Sequence, residues 1–353
     1  MGPKTVSLVI FILSYILFVI LPKKRSLVAL VGAILLVLSQ AISPKEAFLA
    51  INWNVMGIFV GTLAVADVFM ESRVPAYLAE LIVDRAKNTC WAILYICVLT
   101  GFISAFVENV ATVLIVAPIA LALARKLKIS PVNMMFAIAI SSNLQGTATL
   151  IGDPPSMLLG GFARMTFWDF FFYKGRPSIF FAVELGALVS FLVLYFTFRK
   201  EKEKVKLVPV EKVRSWVPTL LLAGLVILLA LSSFFDAGFS YMAGIICMVF
   251  GVISLIWAKV FYKSEIIQNI KKLDWDTTLF LTGIFIIVGS ISSTGWIKII
   301  ADSLSGVVGD NIFLGYTVIV FISVAISAFV DNVPFLAAML PVAISMSQTL
   351  GLS

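Results

Sequence analysis

ISAFVENVATVLIVAP at residues 103–118 and ISAFVDNVPFLAAMLP at residues 326–341 are two copies of one motif in the same chain. Each copy places a carboxylate next to an amide, Glu108 with Asn109 and Asp331 with Asn332, inside an apolar run. A charged side chain at membrane depth is costly, and such residues mark functional sites by default. The repeated motif therefore predicts a site to which both halves of the chain contribute.

The composition is that of an integral membrane protein. Of the 353 residues, 61% are hydrophobic and 13% are charged, whereas a soluble domain has about 25% charged residues. Long apolar segments recur along the whole chain, and each can cross a hydrocarbon core of about 30 Å. Four of them are Ser26–Ile42, Ile179–Phe198, Val217–Phe235 and Tyr241–Ala258.

The charges favour a membrane protein over a nucleic-acid-binding one, although the net charge is +7. The basic residues form short clusters between apolar segments, as the positive-inside rule describes. With Lys23–Arg25 in the cytoplasm, twenty of the 26 Lys and Arg residues fall on the cytoplasmic side. We expect a multi-pass protein of the inner or plasma membrane with cytoplasmic basic loops and no nucleic-acid partner.

Histidine is absent, and the three cysteines have no metal-ligand spacing. We therefore expect no metal beyond a transported or coupling sodium ion, no other cofactor, and carboxylates as the proton carriers. There is also no serine elbow, so the sequence does not indicate an enzyme.

The two motifs belong to a longer internal repeat. Trp53 in INWNVMGIFVG recurs as Trp275 in LDWDTTLFLTG, and Pro118 recurs as Pro341 at a spacing that is longer by a single residue. Counting spans from the cytoplasmic side gives the copies opposite orientations. This predicts inverted-topology repeats of the kind that secondary transporters use.

We assign the first repeat to residues 1–205 and the second to 215–353, joined by a charged cytoplasmic linker at 199–214. The second repeat has no counterpart of about 128–198, so we expect it to be incomplete.

The apolar segment that follows the Glu108–Thr112 part of the first motif is Val113–Ala124, which has 12 residues and is followed by Arg125. Twelve helical residues span about 18 Å, which is too short to cross the core. We therefore predict a re-entrant hairpin over about 91–124 with a non-helical tip at Glu108–Thr112, and a second hairpin over about 312–345. The alternative is two ordinary spans with a solvated tip.

The stretch SSNLQGTATLIGDPPSMLLGG at 141–161 interrupts an apolar segment with Gly146, Gly152, Pro154 and Pro155. It predicts a broken helix over about 131–165, in which unwound carbonyls and half-helix ends can bind ions. Asn143, Thr147 and Thr149 supply side-chain oxygens there. Asp153 precedes Pro154 either as an ion ligand or as a plain helix cap.

FVENVATVLIVAP, NLQGTATLIGDPP and FVDNVPFLAAMLP resemble the arsenite-permease, sodium/proton-antiporter and P-protein branch of the ion transporter superfamily, which is related to citrate and dicarboxylate permeases. The resemblance implies an all-α polytopic fold of inverted repeats, each with a re-entrant hairpin and a discontinuous helix. It also implies a homodimer and one substrate and ion site. The candidate binding residues are Glu108, Asn109, Thr112, Asn143, Gly146, Thr147, Thr149, Gly152, Asp153, Asp331 and Asn332.

The function that we expect is secondary active transport of a small anion or oxyanion, such as an arsenite-like ion, an inorganic anion or a carboxylate. Alternating access would couple it to protons or sodium. Two alternatives stay open at this point. One is a sodium/proton antiporter of the same superfamily, and the other is a truncated, non-transporting permease fragment that needs a partner chain.

Overall fold

The computed structural model describes residues 2–127, 130–203, 211–308 and 311–349. In these residues seventeen α-helices make up nearly all of the regular structure. They are α1 (Pro3–Ile20), α2 (Arg25–Leu38), α3 (Pro44–Ala50), α4 (Trp53–Glu71), α5 (Val74–Arg85), α6 (Thr89–Ser104), α7 (Asn109–Leu127), α8 (Val132–Gly146), α9 (Pro154–Ala163), α10 (Ile179–Phe198), α11 (Val217–Ser232), α12 (Met242–Phe261), α13 (Ile266–Lys272), α14 (Trp275–Ser293), α15 (Trp296–Val308), α16 (Ile312–Ser327) and α17 (Asn332–Thr349).

The remaining regular structure is small. Two 3-10 turns cover Pro22–Lys24 and Trp168–Phe170. The strands β1 (Phe172–Tyr173) and β2 (Arg176–Pro177) form one antiparallel ribbon. The predicted all-α polytopic membrane fold is therefore confirmed.

Within the described part of the chain, five helices, α1, α4, α10, α12 and α14, are long and apolar enough to cross a membrane. The predicted span Ile179–Phe198 coincides with α10 residue for residue. The predicted span Ser26–Ile42 is wrong at its end, because α2 stops at Leu38. Gln40 has a positive φ of 57°, which a continuing right-handed helix cannot contain.

The helix bounds repeat along the chain. The number of residues from the start of the seven-residue helix α3 to the start of α13, which also has seven, equals the number from the start of α4 to the start of α14, which both have 19. The 16-residue helices α6 and α16 begin at a spacing that is longer by a single residue. Arg73 and Gly295, which precede α5 and α15, both have a positive φ, of 61° and 81°. Corresponding sequence positions thus produce the same local structure.

The caps of these helices repeat as well. Asn52 accepts a hydrogen bond from the Val55 N–H at 3.1 Å before α4, and Asp274 accepts one from the Thr277 N–H at 2.9 Å before α14. Asn88 and Asn311 cap α6 and α16 in the same way. Such caps satisfy helix N–H groups that have no partner within the helix.

The described residues fall into two compact units. The first contains the described residues of Met1–Met56, Gly161–Ala163 and Asp274–Ser353, and the second those of Gly57–Gly160 and Arg164–Leu273. The units do not follow the repeat boundaries at 205 and 215, so the repeat boundaries and the opposite orientation of the repeats stay predictions. Part of the predicted linker, residues 204–210, lies outside the described residues.

Each unit contains helices that approach each other very closely. In the first unit, a Cβ added at Gly283 of α14 would lie 2.6 Å from the Ala29 carbonyl carbon of α2. In the second unit, a Cβ added at Gly61 of α4 would overlap the Cys247 backbone of α12. Small residues permit such approach between membrane helices, where packing and not water exclusion drives association.

The second unit holds its hairpin against the broken helix through a buried apolar cluster. Ile93 and Ile96 of α6, Leu123 of α7 and Ile138 of α8 belong to this cluster and are fully buried. Because α6, α7 and α8 all contribute to it, the turn between α6 and α7 lies beside the C-terminal end of α8.

Candidate functional site

The two hairpin tips have the same backbone structure. In the first, α6 and α7 are joined by Ala105–Glu108, and the Phe106 N–H donates to the Ile103 carbonyl at 3.0 Å. In the second, the Phe329 N–H donates to the Ile326 carbonyl at 3.0 Å. The repeated motif therefore folds into a repeated turn, and the carboxylate is the last residue of that turn in both copies.

The prediction of a non-helical tip from Glu108 to Thr112 is wrong in its second part, because α7 begins at Asn109. The Glu108 carbonyl accepts the first intrahelical bond, from the Thr112 N–H at 3.0 Å, and the Asp331 carbonyl accepts one from Phe335 at 3.4 Å. Each carboxylate residue thus caps a helix N-terminus, where the helix dipole favours negative charge.

The second helix of the first hairpin, α7, is longer than predicted. The prediction of 12 helical residues after the motif is too low, because α7 has 19 residues and continues through Arg125 to Leu127 with Pro118 inside. Proline removes one hydrogen bond and kinks a helix but does not end this one. The hairpin is observed, whereas its depth in the membrane stays a prediction.

A serine fixes the amide of each tip. Ser104 Oγ donates to Asn109 Oδ1 at 2.6 Å, and Ser327 Oγ donates to Asn332 Oδ1 at 2.5 Å. Because the amide oxygen is held in this way, the amide nitrogen points away from the turn. Asn109 Nδ2 donates to Asn143 Oδ1 of α8 at 3.2 Å.

The predicted helix break is present at Thr147–Asp153, between α8 and α9. Asp153 adopts an extended backbone with φ −152°, and its Oδ1 accepts from the Ser156 N–H at 2.9 Å. Pro154 follows at the first helical position, where the missing N–H costs nothing. Asp153 is therefore a helix cap in this structure.

Two glycines allow the break to touch the hairpin tip. A Cβ added at Gly146 would overlap Asn109 Oδ1. A Cβ added at Gly152 would overlap the Gly146 carbonyl oxygen and lie 2.9 Å and 3.0 Å from the Ser104 and Ala105 carbonyl oxygens. Three backbone carbonyls therefore converge on Gly152, and no other residue type fits there.

The three candidate threonines bond to backbone carbonyls. Thr149 Oγ1 donates to the Ala105 carbonyl and so ties the break to the hairpin tip. Thr147 Oγ1 donates to Leu144 at 2.8 Å and Thr112 Oγ1 to Val107 at 3.5 Å, both within their own segments. Thr149 thus joins two elements, whereas Thr147 and Thr112 make local bonds.

Sequence reasoning missed three serines of this junction, Ser104, Ser142 and Ser156. Ser142 Oγ lies 2.9 Å from Ser104 Oγ and donates to the Asn109 carbonyl at 3.2 Å. Ser156 Oγ lies 3.5 Å from the Gly146 carbonyl. The signal that points to Ser104 is its recurrence as Ser327 in the second motif, but Ser142 and Ser156 have no such signal.

Glu108 and Asp153 line the same small cavity of about 10 Å³, together with Thr62 of α4 and Gly152. That volume accommodates about one water-sized sphere. Asp153 is 5% exposed, and its carboxylate accepts a hydrogen bond from the Ser156 N–H. The second unit thus brings together seven of the candidates, namely Glu108, Asn109, Asn143, Gly146, Thr149, Gly152 and Asp153.

Asp331 and Asn332 lie in the first unit. Asp331 Oδ2 forms an ion pair with Arg25 Nη1 at 2.5 Å. Arg25 is 306 residues away in sequence, and the fold places the N-terminus of α2 beside the second hairpin tip.

A family model described as citrate transporter matches residues 15–353. This chain belongs to the citrate transporter family. It is 28% identical to an uncharacterized transporter of Mycobacterium tuberculosis, Rv2684, over 99% of this chain and 82% of the relative. It is 27% identical to an uncharacterized transporter of Synechocystis, slr0753, over 96% and 76%. The mouse P protein is 22% identical over 92% of this chain and 49% of its own length.

Membership in the citrate transporter family confirms the resemblance that the three motifs indicated. The relatives from M. tuberculosis and Synechocystis are themselves named transporters. Together with the five helices that can cross a membrane, this shows a multi-pass membrane transporter.

Substitutions at Asp153 separate capping from ion binding in this transporter. Asparagine caps helices as well as aspartate, so Asp153→Asn should keep the melting temperature, whereas Asp153→Ala should cost about 1 kcal/mol. If the charge binds a cation, both variants lose sodium affinity. Thermal unfolding in detergent with and without sodium measures both effects, and a sodium response of Asp153→Asn equal to the wild type would leave only the capping role.

Proposed function

We propose that this citrate transporter family member is a secondary active transporter that moves a small anion or oxyanion by alternating access, coupled to sodium or protons. The observation that carries the proposal is the junction of hairpin tip and helix break, where Glu108 and Asp153 line one cavity of about 10 Å³. The buried Asp153 carboxylate, the half-buried Glu108 carboxylate and the converging carbonyls are hard oxygen ligands, which suit a small cation.

The positions of the two carboxylates suggest how cation and anion are coupled. Glu108 caps α7 and Asp153 caps α9, so each positive helix end already faces a negative charge. A bound cation neutralises the carboxylates and leaves the helix ends and the Asn109 and Asn143 amides to attract an anion. In this scheme the cation must bind before the substrate.

Asp331 and Asn332 are proposed to act in the same way at the second hairpin. Their support is the identical turn and the Ser327–Asn332 hydrogen bond, which repeats that of Ser104 and Asn109. The same proposal includes a homodimer and cytoplasmic basic loops, both of which rest on the sequence.

Substrate and coupling ion are tested together in proteoliposomes. Purified protein is reconstituted, and uptake of radiolabelled citrate, phosphate or arsenite is followed under an imposed sodium or proton gradient. We expect one of these solutes to accumulate only when a gradient is present. Equal uptake by empty liposomes under every gradient would refute anion transport.

A sodium/proton antiporter is the second candidate, because a cavity of one water-sized sphere between two carboxylates accommodates a cation and no anion. A pH-sensitive dye inside the same vesicles distinguishes the two. Sodium-driven proton movement without any added anion favours antiport, whereas movement that requires the anion favours the first proposal.

A further inference from the structure

The carboxylate of the second hairpin is held by an arginine from another helix. Arg25, the first residue of α2, reaches Asp331 Oδ2 with Nη1 at 2.5 Å and Thr277 Oγ1 with Nη2 at 2.9 Å. Its Nε lies 3.6 Å from Asp276 Oδ2. All three guanidinium nitrogens thus face oxygen atoms of α14 or of the hairpin tip.

The start of α14 is organised around this guanidinium. Thr277 Oγ1 donates to Asp274 Oδ2 at 2.5 Å and therefore presents a lone pair to Arg25. Asp276 also accepts from Ser26 Oγ, and the Arg25 guanidinium lies 5.2 Å from the centre of the Phe280 ring. Planar guanidinium groups suit such stacking and forked contacts, which a lysine ammonium does not reproduce.

The position of Arg25 can be compared with the equivalent position at the crossing of α4 and α12. Gly283 of α14 contacts Ala29 of α2, and Gly61 of α4 contacts Cys247 of α12 in the corresponding way. Arg25 lies four residues before Ala29, and the residue four positions before Cys247 is Ala243. In the register that pairs Trp53 with Trp275, Asn54 corresponds to Asp276. At the crossing of α4 and α12, the position that corresponds to Arg25 is therefore occupied by an uncharged residue.

We propose that Arg25 is the internal counter-cation of Asp331, so that a transported or coupling cation and Arg25 occupy this carboxylate alternately. Arginine cannot be deprotonated in proteins, so loss of a proton cannot free Asp331, and a cation that binds to this carboxylate has to displace the guanidinium. The Asp331 charge is then compensated whether the transporter is loaded or empty.

The ion pair of Arg25 and Asp331 affects the step in which the empty transporter returns to its starting conformation. An uncompensated carboxylate is costly to move through a membrane, and the Arg25 contact removes that cost when no cation is bound. Net transport requires the empty transporter to return, whereas exchange of internal for external substrate does not. Arg25 is therefore a positioning residue for net transport, an assignment that rests on the proposed function.

Arg25→Gln tests this assignment in proteoliposomes. We expect net uptake to fall at least roughly tenfold, while exchange against internal substrate stays near the wild-type rate. Arg25→Lys should restore part of the net uptake because it keeps the charge. Arg73→Gln is the matched control, since Arg73 forms a comparable ion pair with Glu211 at 2.9 Å outside the site, and both transport modes should be unchanged in it.

A sodium titration of the purified protein gives a readout that does not depend on flux. Without its internal competitor, Asp331 should bind sodium more tightly in Arg25→Gln, and Asp331→Asn should remove this gain. Equal loss of net uptake and exchange, no loss of either, or an unchanged sodium affinity would overturn the inference. If the wild type moves no anion, the proposed function fails, and the titration alone decides the role of Arg25.

Discussion

Glu108→Gln abolishes gradient-driven uptake and leaves the amount of protein in the membrane unchanged; this is the result that we expect. Glutamine has nearly the same shape and can still follow the turn, so the hairpin should fold. It has no negative charge, however, and the cavity that Glu108 shares with Asp153 loses half of its carboxylate charge. Uptake into proteoliposomes under the gradient that drives the wild type measures the effect.

Two further variants sharpen this experiment. Glu108→Asp keeps the charge but shortens its reach, and we expect uptake between the wild type and Glu108→Gln. Glu71→Gln is the control, because Glu71 carries its charge in an ion pair with Arg214 at 3.3 Å, away from the hairpin tip. Wild-type uptake by Glu108→Gln would show that this carboxylate is not part of the coupling site.

Gly152→Ala is expected to have an effect of similar size for a steric reason. The added methyl would overlap the Gly146 carbonyl and lie within 3.0 Å of the Ala105 carbonyl. Backbone atoms cannot rotate away as a flexible side chain can, so the hairpin tip and the helix break must separate. Overpacking of this kind costs about 1–3 kcal/mol.

We therefore expect Gly152→Ala to lower the melting temperature and to reduce uptake to the level of empty liposomes. Gly186→Ala is the matched control, since a Cβ there would meet Leu144 Cδ1 at 3.6 Å, an ordinary contact. Thermal unfolding monitored by size-exclusion chromatography, together with flux, distinguishes the two glycines. Wild-type transport by Gly152→Ala would show that transport does not need close approach at this junction.

The sequence predicted the interruption between α8 and α9 because its causes are local. Gly152 and Pro154 act on their own stretch of backbone, and Asp153 caps the helix that follows. The start of α7 was predicted too late for a reason that is also local. A polar residue in an apolar run suggests a loop, whereas the carbonyl of Glu108 already accepts the first bond of the helix that follows.

The contacts that join distant segments were beyond reach of sequence reasoning. Arg25 looked like one of several basic residues near a span end, and only the fold places it at Asp331. Ser142 and Ser156 resembled the small residues that pack membrane helices, because a hydroxyl in an apolar helix carries no sign of its partner. The sequence predicted that Glu108 and Asp331 occupy equivalent positions in the two hairpins. It did not predict that Glu108 lines a cavity with Asp153, whereas Asp331 pairs with Arg25.

The spacing between corresponding helices grows by a single residue along the chain, and the helix bounds show where this residue is added. The starts of α5 and α15 still keep the spacing of α4 and α14, whereas the caps Asn88 and Asn311 have the longer one. The extra residue therefore lies before the second hairpin. An insertion within a helix turns all later side chains by about 100°. The additional residue falls at α15, which has 13 residues where α5 has 12, and the hairpin helices α6 and α16 keep the same length of 16 residues, so their side chains keep their register.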